Sequence, residues 1–215
     1  MKTRLAVAVV AACAVLAVIA ALGLTEPATS SQGVRLVRQG DGSMVLADTG
    51  GDAPVLDVYE DYDCPVCKEL HTRVDATIQR LAREGKVKVV FHPVTIFRDE
   101  PMRSNSVRAA AAARCVPEAN WLAFRDELYR MQPAPHGEAS GFTVEELAGA
   151  ARKAGAAVDE CVTSQVYAEA HLQESAKVRI DGTPTLVLDG RVLGDEAFDP
   201  NALEAAVVGE PGVTV

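Results

Sequence analysis

Basic charge is in short supply in this chain. Lys and Arg total 21 against 30 Asp and Glu, for a net charge of −9 over 215 residues. Binding to a phosphate backbone requires a net basic face, so nucleic acid is excluded as a partner. Cysteine is also sparse. Five residues are too few for a disulfide-dense mini-scaffold. There is no glycine-rich phosphate-cradling loop and no Ser-His-Asp arrangement. Long apolar runs are absent after residue 24, which excludes a polytopic membrane protein. The 48% hydrophobic content argues against disorder, and the length suits one domain or one domain with an insertion.

The one long apolar run is Leu5–Leu24, 20 residues without a charge. As a helix it would be roughly 30 Å long, the thickness of a bilayer's hydrocarbon core. Lys2 and Arg4 precede it and no basic residue follows until Arg35, which places the N-terminus in the cytosol and the remainder outside. The expectation is a single-pass anchor over 1–24. The alternative is a cleaved signal with small residues at Ala20, Ala21 and Gly23. Cys13 reads as a small apolar residue within this segment. Without Lys2 and Arg4 the exported part keeps 19 of the 21 basic residues against all 30 acidic ones, a charge near −11.

A polar tether over 25–33 leads into the folded part, expected over 34–208 with a tail over 209–215. Val34–Val37 and Met44–Ala47 flank the hairpin signal Gln39-Gly40-Asp41-Gly42. Val55–Tyr59 reads as a buried strand. Cys64–Glu84 reads as a helix with Leu70, Val74, Ile78 and Leu81 on one face and Gly85 as its stop. Val87–Val94 is a second strand. From about 100 to 177 the chain turns Ala-rich and helical, with helices predicted over Ser104–Cys115, Asn120–Met131, Thr143–Ala154 and Val166–Lys177. Thr143-Val144-Glu145-Glu146 is a capping box, and Gln132–Gly141 is a loop. Strands return at Thr185–Leu188 and Arg191–Leu193, and Asn201–Val208 is a closing helix. The order β-α-β, helices, β-β-α defines an α/β class, with the helical block as an insertion.

The chemistry concentrates at Cys64-Pro65-Val66-Cys67, on the junction of a strand and a helix. This spacing lets the sulfurs form a disulfide. The helix N-terminus favours thiolate at Cys64. Cys64 is expected to be the exposed nucleophile and Cys67 the resolving thiol. A copper or zinc site of Cys64, Cys67 and His71 is an alternative, as are an inert disulfide and a peptide-binding holdase with incidental cysteines. Cys115 and Cys161 are expected to pair in an oxidising compartment, reduced core cysteines being the alternative. His92 reads as a strand-end residue or a proton relay. His136 and His171 show no partner in the sequence. Trp121, Phe124 and Leu128 read as core.

Val55–Lys68 (VLDVYEDYDCPVCK), followed much later by Gly182-Thr183-Pro184-Thr185, resembles the DsbA-like thiol–disulfide oxidoreductases of the thioredoxin-fold superfamily, and in particular the membrane-anchored actinobacterial type. The resemblance implies a thioredoxin fold with an inserted helical domain. It implies a cis bond at Pro184, with Thr183 and Pro184 docking an extended substrate, and Pro65 and Val66 tuning the thiols. It supports a Cys115–Cys161 bridge. The implied partners are exported reduced proteins and a quinone-linked membrane reoxidase of the DsbB or VKOR type, with no cofactor in the chain itself. A reductase or isomerase of the same fold is the nearest alternative. The short N-terminal segment leaves little room for a dimerisation domain, so a monomer is expected. Two departures stand out. Val66 replaces the dipeptide His of the best-known strong oxidase, and Val58 occupies the position of the family's buried acid. Glu60, Asp61 and Asp63 crowd the approach to Cys64, where like charge would raise its pKa relative to a strong oxidase; the alternative is a solvated loop in which screening weakens those charges, and an oxidant of moderate strength is expected.

Overall fold

The computed structural model describes residues 33–47, 52–137 and 141–209. The apolar segment Leu5–Leu24, most of the tether and all but the first residue of the tail lie outside them. Among the described residues no helix is long and apolar enough to cross a membrane.

Six strands form one sheet: β1 (Arg35–Arg38), β2 (Met44–Ala47), β3 (Val55–Glu60), β4 (Lys88–Pro93), β5 (Thr185–Leu188) and β6 (Arg191–Val192). Their order is β1-β2-β4-β3-β5-β6. β3 and β4 run parallel and the other described pairs antiparallel. Parallel strands need a crossover, and helix α1 (Pro65–Arg83) supplies it. Leu70, Val74, Ile78 and Leu81 of α1 join Leu56, Val58, Val89 and Phe91 of the central strands in one apolar cluster. Gly85 ends α1 with φ +68, a conformation that costs glycine little.

Among the described residues five helices lie between β4 and β5: α2 (Met102–Cys115), α3 (Glu118–Arg130), α4 (Val144–Lys153), α5 (Asp159–Ser164) and α6 (Ala168–Ser175). In α2, five consecutive alanines, Ala109–Ala113, are all buried. Side chains this small let neighbouring elements approach closely on several sides. Thr143 and Glu146 form the reciprocal capping box that starts α4. The helix expected over Val166–Lys177 is present as α6, and α5 is a further short helix before it that the sequence pattern does not mark. Gln165 separates the two in a left-handed conformation at φ +52. α5 escaped the periodicity because Val162 is its one buried residue. After β6, a short 3-10 turn (Asp195–Phe198) and helix α7 (Pro200–Val208) close the domain, with Asp199 accepting from the backbone N–H groups of Asn201 and Ala202 as the cap.

Two cross-links hold the helical block. Cys115 at the end of α2 bonds Cys161 in α5, 46 residues on. A buried ion network joins α3 to the sheet and to α1. Arg125 donates to both oxygens of Glu60, at the end of β3, at 2.7 Å, and to Asp75 of α1 at 2.5 Å. Tyr129 donates to Glu60 at 2.8 Å. Arg125 and Glu60 are 2% and 1% exposed, so this acid is not part of a solvated loop. Burial opposes the Arg125 charge, but Asp75 and Glu60 outweigh it and hold the guanidinium protonated. Trp121 packs beside Phe91 with ring centroids 5.5 Å apart, tying α3 to the sheet.

Two stability losses are expected, both read as urea midpoints. Replacing Arg125 with Met leaves two buried carboxylates without their shared guanidinium and costs about 3–5 kcal/mol. Replacing Cys115 and Cys161 with Ser releases a long loop and costs about 4 kcal/mol on the loop-entropy model. An unchanged midpoint in either variant would show that the cross-link does not hold the native fold.

Candidate active site

Strand register assembles the site. Tyr59 of β3 pairs with Thr185 of β5 in antiparallel register. β3 therefore ends where β5 begins, and the segment before β5 lies beside the segment after β3. The first holds Gly182-Thr183-Pro184 and the second Asp61–Cys64. The Thr183–Pro184 peptide bond is cis. Cys64 Sγ donates to the Thr183 carbonyl at 3.3 Å. The sequence placed these residues 119 apart; the sheet brings them into contact.

The turn into α1 is built by Asp61. Its carboxyl accepts from the Asp63 N–H at 2.9 Å, the Ile96 N–H at 2.9 Å and the Ser106 hydroxyl at 2.6 Å. Its carbonyl accepts from the Cys64 N–H at 3.1 Å. Cys64 then takes the N-cap position of α1 with extended backbone, and Pro65 fills the first helical position, where no N–H is needed. Gln132, in the loop after α3, donates to the carbonyls of Tyr62 and Cys64 at 2.9 and 3.0 Å. These ties fix the approach to the first sulfur.

Cys64 and Cys67 are both free thiols. Their environments differ. Cys64 has its pKa lowered to about 6, first by a hydrogen bond from the Cys67 thiol, with burial opposing and Thr183 and the N–H groups of Cys67 and Val66 assisting. Burial pushes Cys67 far up, and its hydrogen bond to Cys64 adds to the rise. Cys67 Sγ accepts from the Asp61 N–H at 3.4 Å. Cys64 was expected to be exposed, but it is 4% exposed. Thr183 covers it, and the open surface at the lip of the site belongs to Pro65 and Val66 instead.

Asp61 and Asp63 also depart from the solvated-loop alternative, for both are fully buried. Burial pushes Asp61 up to about 7 and Asp63 up to about 6. Each is held by partners from the helical block, which a reading of the local sequence could not supply. His71 does not complete a metal site with the two cysteines. Its Nε2 lies 2.9 Å from Asp126 and 3.8 Å from Asp75, and its ring packs on Tyr129. His171 likewise has a partner, the Thr95 hydroxyl at 2.9 Å, and His136 lies 3.5 Å from Asp63. His92 pairs with Asp57 at 2.7 Å and stacks on Tyr59, on the half-exposed face of the sheet.

A family model described as thioredoxin matches residues 49–208. Comparison with curated proteins returns no match. Among solved structures, oxidised DsbA of Mycobacterium tuberculosis is 28% identical, with a TM-score of 0.66 over 81% of this chain and 90% of that one. The disulfide bond oxidoreductase DsbG of Mycobacterium tuberculosis is 27% identical, with a TM-score of 0.66 over 86% and 88%. MdbA of Corynebacterium matruchotii, at 22% identity and a TM-score of 0.66, shares the fold over 79% and 90%. The chain belongs to the thioredoxin family, with the helical insertion of its DsbA-like branch. It is a thiol–disulfide oxidoreductase, and the exchange runs through Cys64 and Cys67.

Ultraviolet titration of the fully reduced chain is expected to show one thiolate forming with a midpoint near pH 6, the value set by the Cys64 environment. The step should vanish in Cys64→Ser. A first thiolate appearing only at the pH of an ordinary cysteine, about 8.5, would refute the asymmetry of the two sulfurs.

Proposed function

We propose that this oxidoreductase works as an oxidase outside the cytosol, held there by the Leu5–Leu24 segment, and donates its disulfide to exported reduced proteins. The observation that carries the direction is the unequal environment of the sulfurs. A thiolate stabilised at Cys64 favours the reduced protein, and so makes the disulfide a better electron acceptor. A pKa of about 6 lies well above that of the strongest oxidase of the fold, about 3.5. This supports an oxidant of moderate strength.

In the oxidised enzyme a substrate thiolate attacks Cys64 Sγ. The Cys64–Cys67 bond breaks, its electron pair goes to Cys67, and a mixed disulfide joins the substrate to Cys64. A second substrate thiolate attacks the substrate sulfur of that bond. Cys64 leaves as thiolate, the better leaving group of the pair. The substrate loses two protons in all. Cys67 keeps one, and above pH 6 the other passes to solvent. The contact of Cys64 with the Thr183 backbone supports a role for that backbone in pairing with an extended client chain. A cleft of about 390 Å³ opens next to it, lined by Ile96, Phe97, Val178, Ile180 and Gly182 among others. Arg98 and Asp181 share its walls with these apolar side chains, so a client segment laid in it meets both polar and apolar contacts. Reoxidation falls to a quinone-linked membrane partner of the DsbB or VKOR type. The chain acts as a monomer and carries no cofactor of its own.

The oxidised chain should restore activity to a reduced, disulfide-requiring protein. Cys64→Ser should abolish this, and so should Cys67→Ser, which cannot form the active disulfide. Given the disulfide form of the substrate instead, the Cys64 thiolate of Cys67→Ser should attack it, release one substrate thiolate and leave a trapped mixed disulfide on a non-reducing gel. The reduction potential of the couple should lie above thioredoxin's. A value near about −270 mV would assign the protein to the reductases. Equal refolding by Cys64→Ser would point to a holdase.

A further inference from the structure

Asp63 immediately precedes Cys64 and is fully buried. A carboxylate sealed beside a nascent thiolate opposes it by like charge. Its surroundings show what offsets that charge. From α2, Asn105 donates to Asp63 Oδ2 at 3.4 Å. Arg108, one turn further on, contributes positive charge, but its own donors go to Asn105 Oδ1, Gly141 O and Phe142 O. From the loop after α3, His136 brings Nε2 to 3.5 Å from Asp63 Oδ2. The other ionisable neighbours are Cys64 itself and the buried Asp61, whose carboxyl accepts from the Asp63 N–H at 2.9 Å.

The His136 contact has an unusual form. Among the described residues neither His136 Nε2 nor Asp63 Oδ1 has a hydrogen-bond partner, although both atoms are sealed from solvent. Two buried polar atoms without hydrogen-bond partners, on two adjoining titratable groups, call for an explanation. A separation of 3.5 Å is too long for a good hydrogen bond but suits an ion pair that tightens on protonation. The loop is tied to the site on both sides of His136, by Gln132 to the Tyr62 and Cys64 carbonyls and by Gly141 to Asn105. The imidazole as a whole is 26% exposed and can exchange a proton with solvent. Pro65 and Val66 carry no ionisable group.

We propose that His136 is a positioning residue for Cys64: as an imidazolium facing Asp63 it neutralises that carboxylate, so the thiolate forms beside a compensated pair instead of a bare like charge. No bond is made or broken in this step. His136 takes its proton from solvent and returns it there. The insertion loop thus supplies at a distance the positive charge that the side chains of Pro65 and Val66 lack.

The inference rests on Cys64 being the low-pKa thiol, so the test reads ionisation and not turnover. The thiolate absorbance of the reduced full chain is titrated, with Cys64→Ser as the blank. His136→Gln should raise the Cys64 midpoint by about half a pH unit, and His136→Lys should restore it. In an Asp63→Asn background, His136→Gln should shift the midpoint by less than half as much. Thermal melts identify any variant that fails to fold, and if Asp63→Asn is one, the Gln and Lys pair decides alone. An unmoved midpoint in His136→Gln overturns the proposal, as does failure of His136→Lys to restore it or an equal shift with Asp63 removed. A thiolate step that persists in Cys64→Ser overturns instead the assignment of the low-pKa thiol.

Discussion

The pairing of Tyr59 with Thr185 is the constraint on which the site depends. A side chain in a strand has a period of two, so a slip of one residue between β3 and β5 would exchange their buried and open faces. It would also carry Thr183 along the sheet, away from Cys64. The buried positions Leu56, Val58, Leu186 and Leu188 prevent that slip, because their apolar faces fit the core in one register. The 3.3 Å contact between Cys64 Sγ and the Thr183 carbonyl is thus secured by hydrophobic burial in the sheet. Little at the site itself needs to enforce it.

The second constraint is charge. Three acids lie within four residues of Cys64, and burying them costs free energy unless each is compensated. The helical block provides the compensation from three directions. Arg125 and Tyr129 serve Glu60. Ser106 serves Asp61, along with backbone donors. Asn105 and His136 serve Asp63. The insertion is therefore part of the active site's electrostatics as well as its wall. Its hold on the sheet through Arg125 and its hold on the thiol segment through Gln132 act on the same few residues from opposite ends.

Much of this was legible in the chain. Apolar spacing in Leu70, Val74, Ile78 and Leu81 marked α1, and β-branched runs marked β3 and β4. The Cys-Pro-Val-Cys junction and the distant Gly-Thr-Pro-Thr marked the two halves of the site. What stayed hidden has a common physical character. Glu60, Asp61 and Asp63 look like a polar loop by local composition. Their burial depends on partners 35 to 73 residues away, and spacing does not reveal such partners. Gln132 and His136 sit in a stretch whose prolines and glycines signal only a loop. The break at Gln165 needed a left-handed residue that is not glycine, which propensity disfavours.

The asymmetry of the two sulfurs follows from where α1 begins. Cys64 holds the N-cap position, so the first-turn backbone at Cys67 and Val66 favours negative charge on its sulfur. Cys67 lies one turn in, 1% exposed within the core, where a charged sulfur has lost its solvation. A hydrogen bond between the two sharpens the contrast, because the thiol that keeps its proton donates it to the thiolate that has none. A proline at the first helical position keeps this geometry without giving up a hydrogen bond, since that N–H has no partner within a helix. Direction in disulfide exchange then comes from position along a single helical turn. The outer sulfur is the stable anion and departs readily from a mixed disulfide. The inner one, once released as an anion, is driven back to a proton or to a new sulfur bond.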